Sequence, residues 1–482
     1  MNDPGPLLLN AVLLVPVFGA ALLALFPDDH LTGRLNALTS LLTFLASTSL
    51  FFFRPETGSF LIVDDVNVVF IVLTTFVGFT TSVFSSTYIA HELETGRLTP
   101  LYLRFYHAMY QTLMFAMNLA LLANNMGLMW VAIELATLTT VLMVGLYRTP
   151  AAIEAAWKYF ILGSVGIALA LFGTLLVYLA ARSVVGEGLD AMAWNVLVAN
   201  AAAFDPHLLN LAFVFLLLGY GTKVGLVPLH AWLPDAHAEG PTPISAVLSG
   251  LLLNVALFAV LRFKMIMSGN PGALAPGPLM VTLGLLSVLF SAFMLYRRHD
   301  IKRMFAYSSI EHMGIITFAF GMGGPLANFA GLLHMTYHSL TKSAIFFCVG
   351  HIAQIKGTQR MSDIRGLTVS HPVLGWGLVL GVITIVGLPP TGIFMTEFLI
   401  VTSTFARQPV LAVVLGFGLL VGLGALLLRL NALAFGEAYG KDAPSQASFV
   451  PMFAHLALVA AAGIFLPSAL VAWFQHVATL LG

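Results

Sequence analysis

The chain has 482 residues, 59% of them hydrophobic and 9% charged, with a mean hydropathy of +0.94, which excludes a water-soluble domain and makes lipid the solvent for most of it. Lys plus Arg (21) equals Asp plus Glu (21), so no bulk charge draws it to nucleic acid or to an acidic partner. A single cysteine, Cys348, excludes a disulfide framework, a thiolate zinc site and an iron–sulfur cluster ligated by this chain alone.

A helix needs about 20 apolar residues to cross a hydrocarbon core of roughly 30 Å. Apolar runs bounded by Pro, Gly and charge predict an all-α integral membrane protein of about fourteen such spans. They begin near Leu7, Leu38, Val68, Met109, Leu128, Trp157, Leu208, Ile244, Leu279, Met304, Phe329, Val373, Val410 and Met452. Loops after odd-numbered spans hold 13 basic residues: Arg34, Arg97, Arg104, Arg148, Lys158, Arg297, Arg298, Lys302, Arg303, Lys356, Arg360, Arg365 and Lys441. Loops after even-numbered spans hold 5: Arg54, Arg182, Arg262, Lys264 and Arg407. The excess of basic residues on the cytoplasmic side of membrane proteins then places the odd loops inside and both termini outside a bacterial or archaeal cell membrane.

Two spans are interrupted by one pattern. Lys223-Val-Gly-Leu-Val-Pro228 and Ile385-Val-Gly-Leu-Pro-Pro390 share VGLxP, and Pro228, Pro389 and Pro390 break their helices. Three spans (1–106) precede a first block of five (107–264), a second block of five (276–437) follows, and one span (450–482) closes the chain. Each break falls in the fourth span of its block. An odd number of spans per block makes the second enter the membrane from the opposite side, giving two inverted five-helix repeats. Broken helices expose backbone groups that hold ions or water inside a membrane; a plain proline kink is the simpler alternative.

An ionised side chain at the centre of a span costs about 2.5 to 3.5 kcal/mol, so each calls for a partner or a task. Glu134, in NMGLMWVAIELATLTTVLM, and Lys223, before the first break, are expected to share a polar axis. Opening such a pair can take up or release a proton, whereas a static pair would only fix packing. In GLLHMTYHSLTKSAIFF, His334, His338 and Lys342 are spaced i, i+4, i+8 and so lie along one helix face, an arrangement suited to proton hopping. Packing histidines are the alternative. A metal is not expected, because no Glu follows His334 as in a metalloprotease helix. His230, Asp235 and His237, among four prolines in PLHAWLPDAHAEGPTP, are predicted to lead protons to a water-exposed face. Glu311 and His312 in AYSSIEHMG, and Glu397 in GLPPTGIFMTEFLI, are predicted to form the second half of the path. Asp64, Asp65 and Glu154 read as boundary or interface charges.

With these segments the chain resembles the antiporter-like, proton-conducting subunits of respiratory complex I. The stretches ELATLTTVLMVGLYRTPAAIEAAWKYFILG and HAEGPTPISAVLSGLLLNVALFAVLRF are most similar to hydrogenase-4 component F, a membrane subunit of group 4 nickel–iron hydrogenase or formate hydrogenlyase complexes. The resemblance implies a fourteen-helix fold with inverted repeats, an essential Glu134 and Lys223, a terminal carboxylate at Glu397, and proton movement driven by electron transfer in neighbouring subunits. The chain departs from the family at Asn254, where Lys or His is common, leaving a gap between Lys223 and His334 for water to bridge. It also departs at Glu311, where Ser is common.

The function expected is that of a proton-translocating subunit of a redox-driven hydrogenase or NADH:quinone oxidoreductase-like complex. No cofactor is expected in this chain; nickel–iron, iron–sulfur or flavin centres would belong to soluble cytoplasmic partners. Other membrane subunits and lipid are the remaining expected partners. A subunit of a multisubunit sodium/proton antiporter and a passive membrane anchor stay open as alternatives.

Overall fold

The computed structural model describes residues 4–26, 29–439, 443 and 448–482; Lys441, counted above among the cytoplasmic charges, lies outside the described residues. Regular structure among these is helical, with only isolated β-bridges besides. The first helices are α1 (Gly5–Leu25), α2 (Asp29–Ser49), α3 (Asn67–Glu94), α4 (Pro100–Leu122), α5 (Met126–Val144) and α6 (Pro150–Val185). Next come α7 (Pro206–Val224), a short helix Leu233–Glu239 and α8 (Thr242–Ser268). Then follow α9 (Gly277–Tyr296), α10 (Ile301–Met322), α11 (Pro325–Lys356), α12 (Pro372–Ile385), α13 (Gly392–Arg407) and α14 (Pro409–Ala434), and finally α15 (Val450–Ile464) and α16 (Ser468–Leu480).

Several helices start before their apolar runs do. The span expected near Met109 opens at Pro100, behind the cap Thr99, and Thr149 and Asp205 cap α6 and α7 in the same way, each followed by Pro. Proline suits the first helical position, where its missing N–H has no intrahelical partner to lose. Eight described helices are long and apolar enough to cross a membrane, or nine if α15 and α16 count as one span. The single span expected over 450–482 is instead two helices bent by 85°; Pro467, which cannot donate a backbone hydrogen bond, stands at the start of α16.

VGLxP is a helix stop written twice. Gly225 and Gly387 both take the left-handed conformation (φ +81° and +65°). Leu226 N–H then donates to Gly221 C=O (2.9 Å) and Leu388 N–H to Ile383 C=O (3.2 Å), while the glycine N–H groups reach Thr222 and Thr384 (both 3.2 Å). This is the Schellman cap, with proline following to prevent the helix from resuming.

Burial sorts the helices. The most apolar window of α8 is 100% buried, against 28% in α1 and 33% in α14. α8 carries buried Ser249, Asn254, Arg262 and Lys264, polar groups that lipid would leave unsatisfied, and it is joined in the interior by α10 and α11, whose residues are mostly buried. Outward faces carry exposed Leu7, Phe18, Trp157, Val410 and Leu420, the surface expected against lipid.

Candidate functional site

At the first break, Lys223 ends α7 with its side chain buried. Its ammonium donates to Thr137 Oγ1 at 2.8 Å and stands 3.7 Å from Glu134 Oε2. Thr137 follows Glu134 by three residues and therefore shares its face of α5. Gly163 on α6 makes room, since a Cβ there would lie 2.9 Å from Lys223 Nζ. Glu134 is only partly covered, its side chain 20% exposed, between exposed Val131 and Leu138. Beyond the break, Trp232 donates to the Thr222 carbonyl (2.8 Å) and stacks on Tyr159 at 4.2 Å. Val227 N–H donates to Ser287 Oγ on α9 (2.9 Å), tying the first break to the following block.

The interior between the breaks is lined with hydroxyl, amide and imidazole groups. A π turn at Leu248–Leu252 interrupts the helical bonding of α8, and the Gly250 carbonyl accepts from Ser339 Oγ (2.5 Å) and Asn254 Nδ2 (3.4 Å). Asn254 also donates to Ser339 Oγ (2.7 Å) and to the Met335 carbonyl (3.1 Å). Beside them is a cavity of about 10 Å³ reached by Thr74, Asn254 and Ser339, close to the room one water needs. At the position where a gap was expected, Asn254 thus takes part in an amide–hydroxyl network. Ser249 and Ser309 share a 2.7 Å hydrogen bond.

Lys342, fully buried, donates to the Phe305 carbonyl (3.1 Å). His237 is also fully buried, stacked on Phe346 at 4.8 Å, and neither of its ring nitrogens has a protein partner. The same holds for His338, whose ring lies 5.7 Å from that of His312.

At the second break three residues converge from α10, α11 and α13. His312 Nδ1 and His334 Nε2 are 2.9 Å apart, and His334 Nδ1 lies 2.8 Å from Thr396 Oγ1. The Ile385 carbonyl loses its helical donor because Pro389 has no N–H, and Ile385 lines the same cavity as His312. One ligand atom each from His312, His334 and Glu397 fall within 4.8 Å of one another. Glu311 and Glu397 line the same cavity of about 10 Å³ as His312. Each carboxylate lies against a glycine: a Cβ on Gly422 would collide with that of Glu311, and one on Gly387 with that of Glu397.

Asp235 stands seven residues past Pro228, as Glu397 stands seven past Pro390, but it is held in ion pairs with Lys158 and Arg303, both at 3.1 Å. His230, mostly buried, packs its ring 4.9 Å from Phe290. Asp64 pairs with Arg262 (2.7 Å), Asp65 with Arg54 (2.6 Å), and Glu154 with Lys158 (2.7 Å). Sequence reasoning did not single out Thr137, Thr396, Lys302 or the cradle glycine Gly422, and it read Gly387 only as part of the helix break. Lys302 is buried and donates to the carbonyls of Ala238 (3.1 Å) and Gly240 (2.6 Å) beyond the first break. Thr137 carried a signal in its helical spacing from Glu134, and Gly387 lies within the VGLxP pattern itself.

Comparison with known proteins gives a consistent result. The family described as "NADH:quinone oxidoreductase/Mrp antiporter, TM" matches residues 123–423. A hydrogenase-4 component F homolog from Methylacidiphilum infernorum is 62% identical over 471 residues, 98% of this chain and 99% of that protein. The fold is similar to that of a chain in the membrane-bound sulfane sulfur reductase, an archaeal respiratory membrane complex (TM-score 0.88, 21% identity, 98% of this chain and 97% of that one). It is also similar to a chain of the Mrp complex from Dietzia sp. DQ12-45-1b (TM-score 0.84, 17% identity, 100% and 98%). On this fold, on the charged helix breaks and on the family match, the chain belongs to the NADH:quinone oxidoreductase/Mrp antiporter transmembrane family and is a multi-pass, antiporter-like membrane subunit.

Proposed function

We propose that this chain moves protons across the cell membrane, along Glu134, Lys223, Lys342, His338, His334, His312, Glu311 and Glu397, as a subunit of a redox-driven complex. A group 4 hydrogenase or formate hydrogenlyase fits best, given the 62% identity to a hydrogenase-4 component F homolog, with an NADH:quinone oxidoreductase-like complex as the broader class. The observation that carries the reading is the polar interior joining two helix breaks, a feature that stability in lipid does not require. Buried imidazole nitrogens of His237 and His338 without protein partners are the places where water would complete the file. His230, His237 and Lys302 lead from the first break toward the basic, cytoplasmic side, while Asp235 holds that end together.

The reading includes about fourteen spans, inverted blocks at 107–264 and 276–437, and both termini outside. Glu134 and Glu397 are only partly buried on outward helices, so neighbouring membrane subunits are expected to cover them, with soluble redox subunits docked on the cytoplasmic side. Nickel–iron, iron–sulfur or flavin centres belong to those partners.

The test is Lys223→Met in the intact assembly, reconstituted in vesicles with its electron donor. Electron transfer with proton movement abolished is the expected result; proton movement at the native rate refutes the proposal. Loss of assembly in both Lys223→Met and Glu134→Gln would favour a passive anchor, and sodium-dependent proton exchange without a donor would favour an antiporter subunit.

A further inference from the structure

The hydrogen bonds around His312 and His334 leave a place for a cation. Thr396 Oγ1 donates its proton to the Ile393 carbonyl (2.9 Å), so toward His334 it accepts, and His334 Nδ1 carries hydrogen. Each neutral imidazole has one N–H, so His334 Nε2 is then a lone pair, and it points at His312 Nδ1 from 2.9 Å. A cation between these two nitrogens would be held by both rings.

We propose that His312, His334 and Glu397 form a binding site for a divalent transition-metal ion of the zinc class, seated between the two imidazoles in place of the proton they otherwise share. Ligand atoms from all three already lie within 4.8 Å of one another. Zinc–nitrogen bonds of about 2.0–2.1 Å in a tetrahedron set the nitrogens roughly 3.3 Å apart, so the rings need to part by only about 0.4 Å. An outer hydrogen bond of the kind that orients metal-binding imidazoles is in place on His334, to the Thr396 hydroxyl. Glu311, in the same cavity as Glu397, brings a second carboxylate beside the site. Imidazole ligands select zinc, cobalt, nickel or copper over sodium, magnesium or calcium, which prefer all-oxygen sites. The i, i+4 pair His334 and His338 is not the ligand pair: His334 finds its partner on α10.

Binding does not rest on the proposed proton path, but its consequence does. A metal ion here would occupy the atoms through which protons are proposed to pass, and would block them.

The experiment adds Co²⁺ to the chelator-treated membrane assembly and follows the ligand-field spectrum as the difference between native and variant assemblies. One Co²⁺ per chain with a four-coordinate spectrum is expected in the native assembly, and its loss in His334→Gln and Glu397→Gln. Thr396→Val, which keeps all three ligands and the side-chain shape, should weaken binding about 10- to 100-fold, and it decides the matter where His334→Gln fails to assemble. Equal Co²⁺ binding in the native, Glu397→Gln and Thr396→Val assemblies, or none in the native one, overturns the site. Zn²⁺ added to vesicles that pump protons separates the two proposals: Co²⁺ binding with undiminished pumping keeps the metal site and removes His312 and His334 from the path.

Discussion

Replacing Gly387 by alanine tests whether the position of the Glu397 carboxylate matters more than the stability of the break. Gly387 and Gly357 have nearly the same left-handed backbone (φ +65° and +64°), so an added Cβ costs each about 1–2 kcal/mol of strain. Their surroundings differ: around Gly357 nothing lies within 4 Å of the new atom, whereas at Gly387 it collides with the Glu397 carboxylate. That carboxylate must retreat by about an ångström to regain ordinary contact. Gly357→Ala is thus a control with equal strain and no displaced group. With proton movement measured per assembled complex in vesicles, Gly357→Ala should stay within about twofold of native and Gly387→Ala should fall by about 10- to 100-fold, the scale of a 1 Å misplacement at a reacting group. Glu397→Gln in the Gly387→Ala background should add little, because both remove one interaction. Equal rates for the two alanine variants would refute the role given to Glu397.

Further outcomes follow from single hydrogen bonds. Thr137→Val removes the 2.8 Å acceptor of Lys223 and should slow proton movement several-fold, whereas Thr139→Val, whose hydroxyl meets only backbone carbonyls of its own helix, should leave it unchanged. Ser287→Ala orphans the buried Val227 N–H and should cost about 1–3 kcal/mol, read as a lower melting temperature of the assembly; an unchanged Tm would mean that the bond is dispensable. Asn254→Leu leaves Ser339 bonded to Gly250 but deletes the amide between α8 and α11, and proton movement should fall while electron transfer without a gradient persists.

The breaks were legible in the sequence because a glycine, an apolar residue and a proline in fixed order encode a complete helix stop, and the same hydrogen bonds recur at both copies. The charged positions were legible because lipid makes each one costly. What pairs with them was legible only where the partner shares a helix, as Thr137 does with Glu134. Thr396 on His334, His334 on His312 and Gly422 on Glu311 are contacts between separate helices, and no local pattern announces them. Asp235 shows the opposite failure. It sits in a proline-rich segment that looks like an open conduit, yet Lys158 and Arg303, 77 and 68 residues away in sequence, hold it in ion pairs.

The two breaks therefore share one backbone design and carry different charge. At the first, Lys223 faces Glu134 and Asp235 faces Lys158 and Arg303, so positive and negative groups cancel locally. At the second, Glu311 and Glu397 share a small cavity with the His312 imidazole, and among the described residues neither carboxylate has an ion-pair partner within 4.0 Å. Attraction between unit charges rises steeply as the surroundings lose water, so a cation free to move through the polar interior is drawn from the break whose carboxylates are held in ion pairs toward the one whose carboxylates are not. A proton crossing and a metal ion bound there would answer to the same imbalance, which explains why the residues proposed to pass the one are those proposed to trap the other.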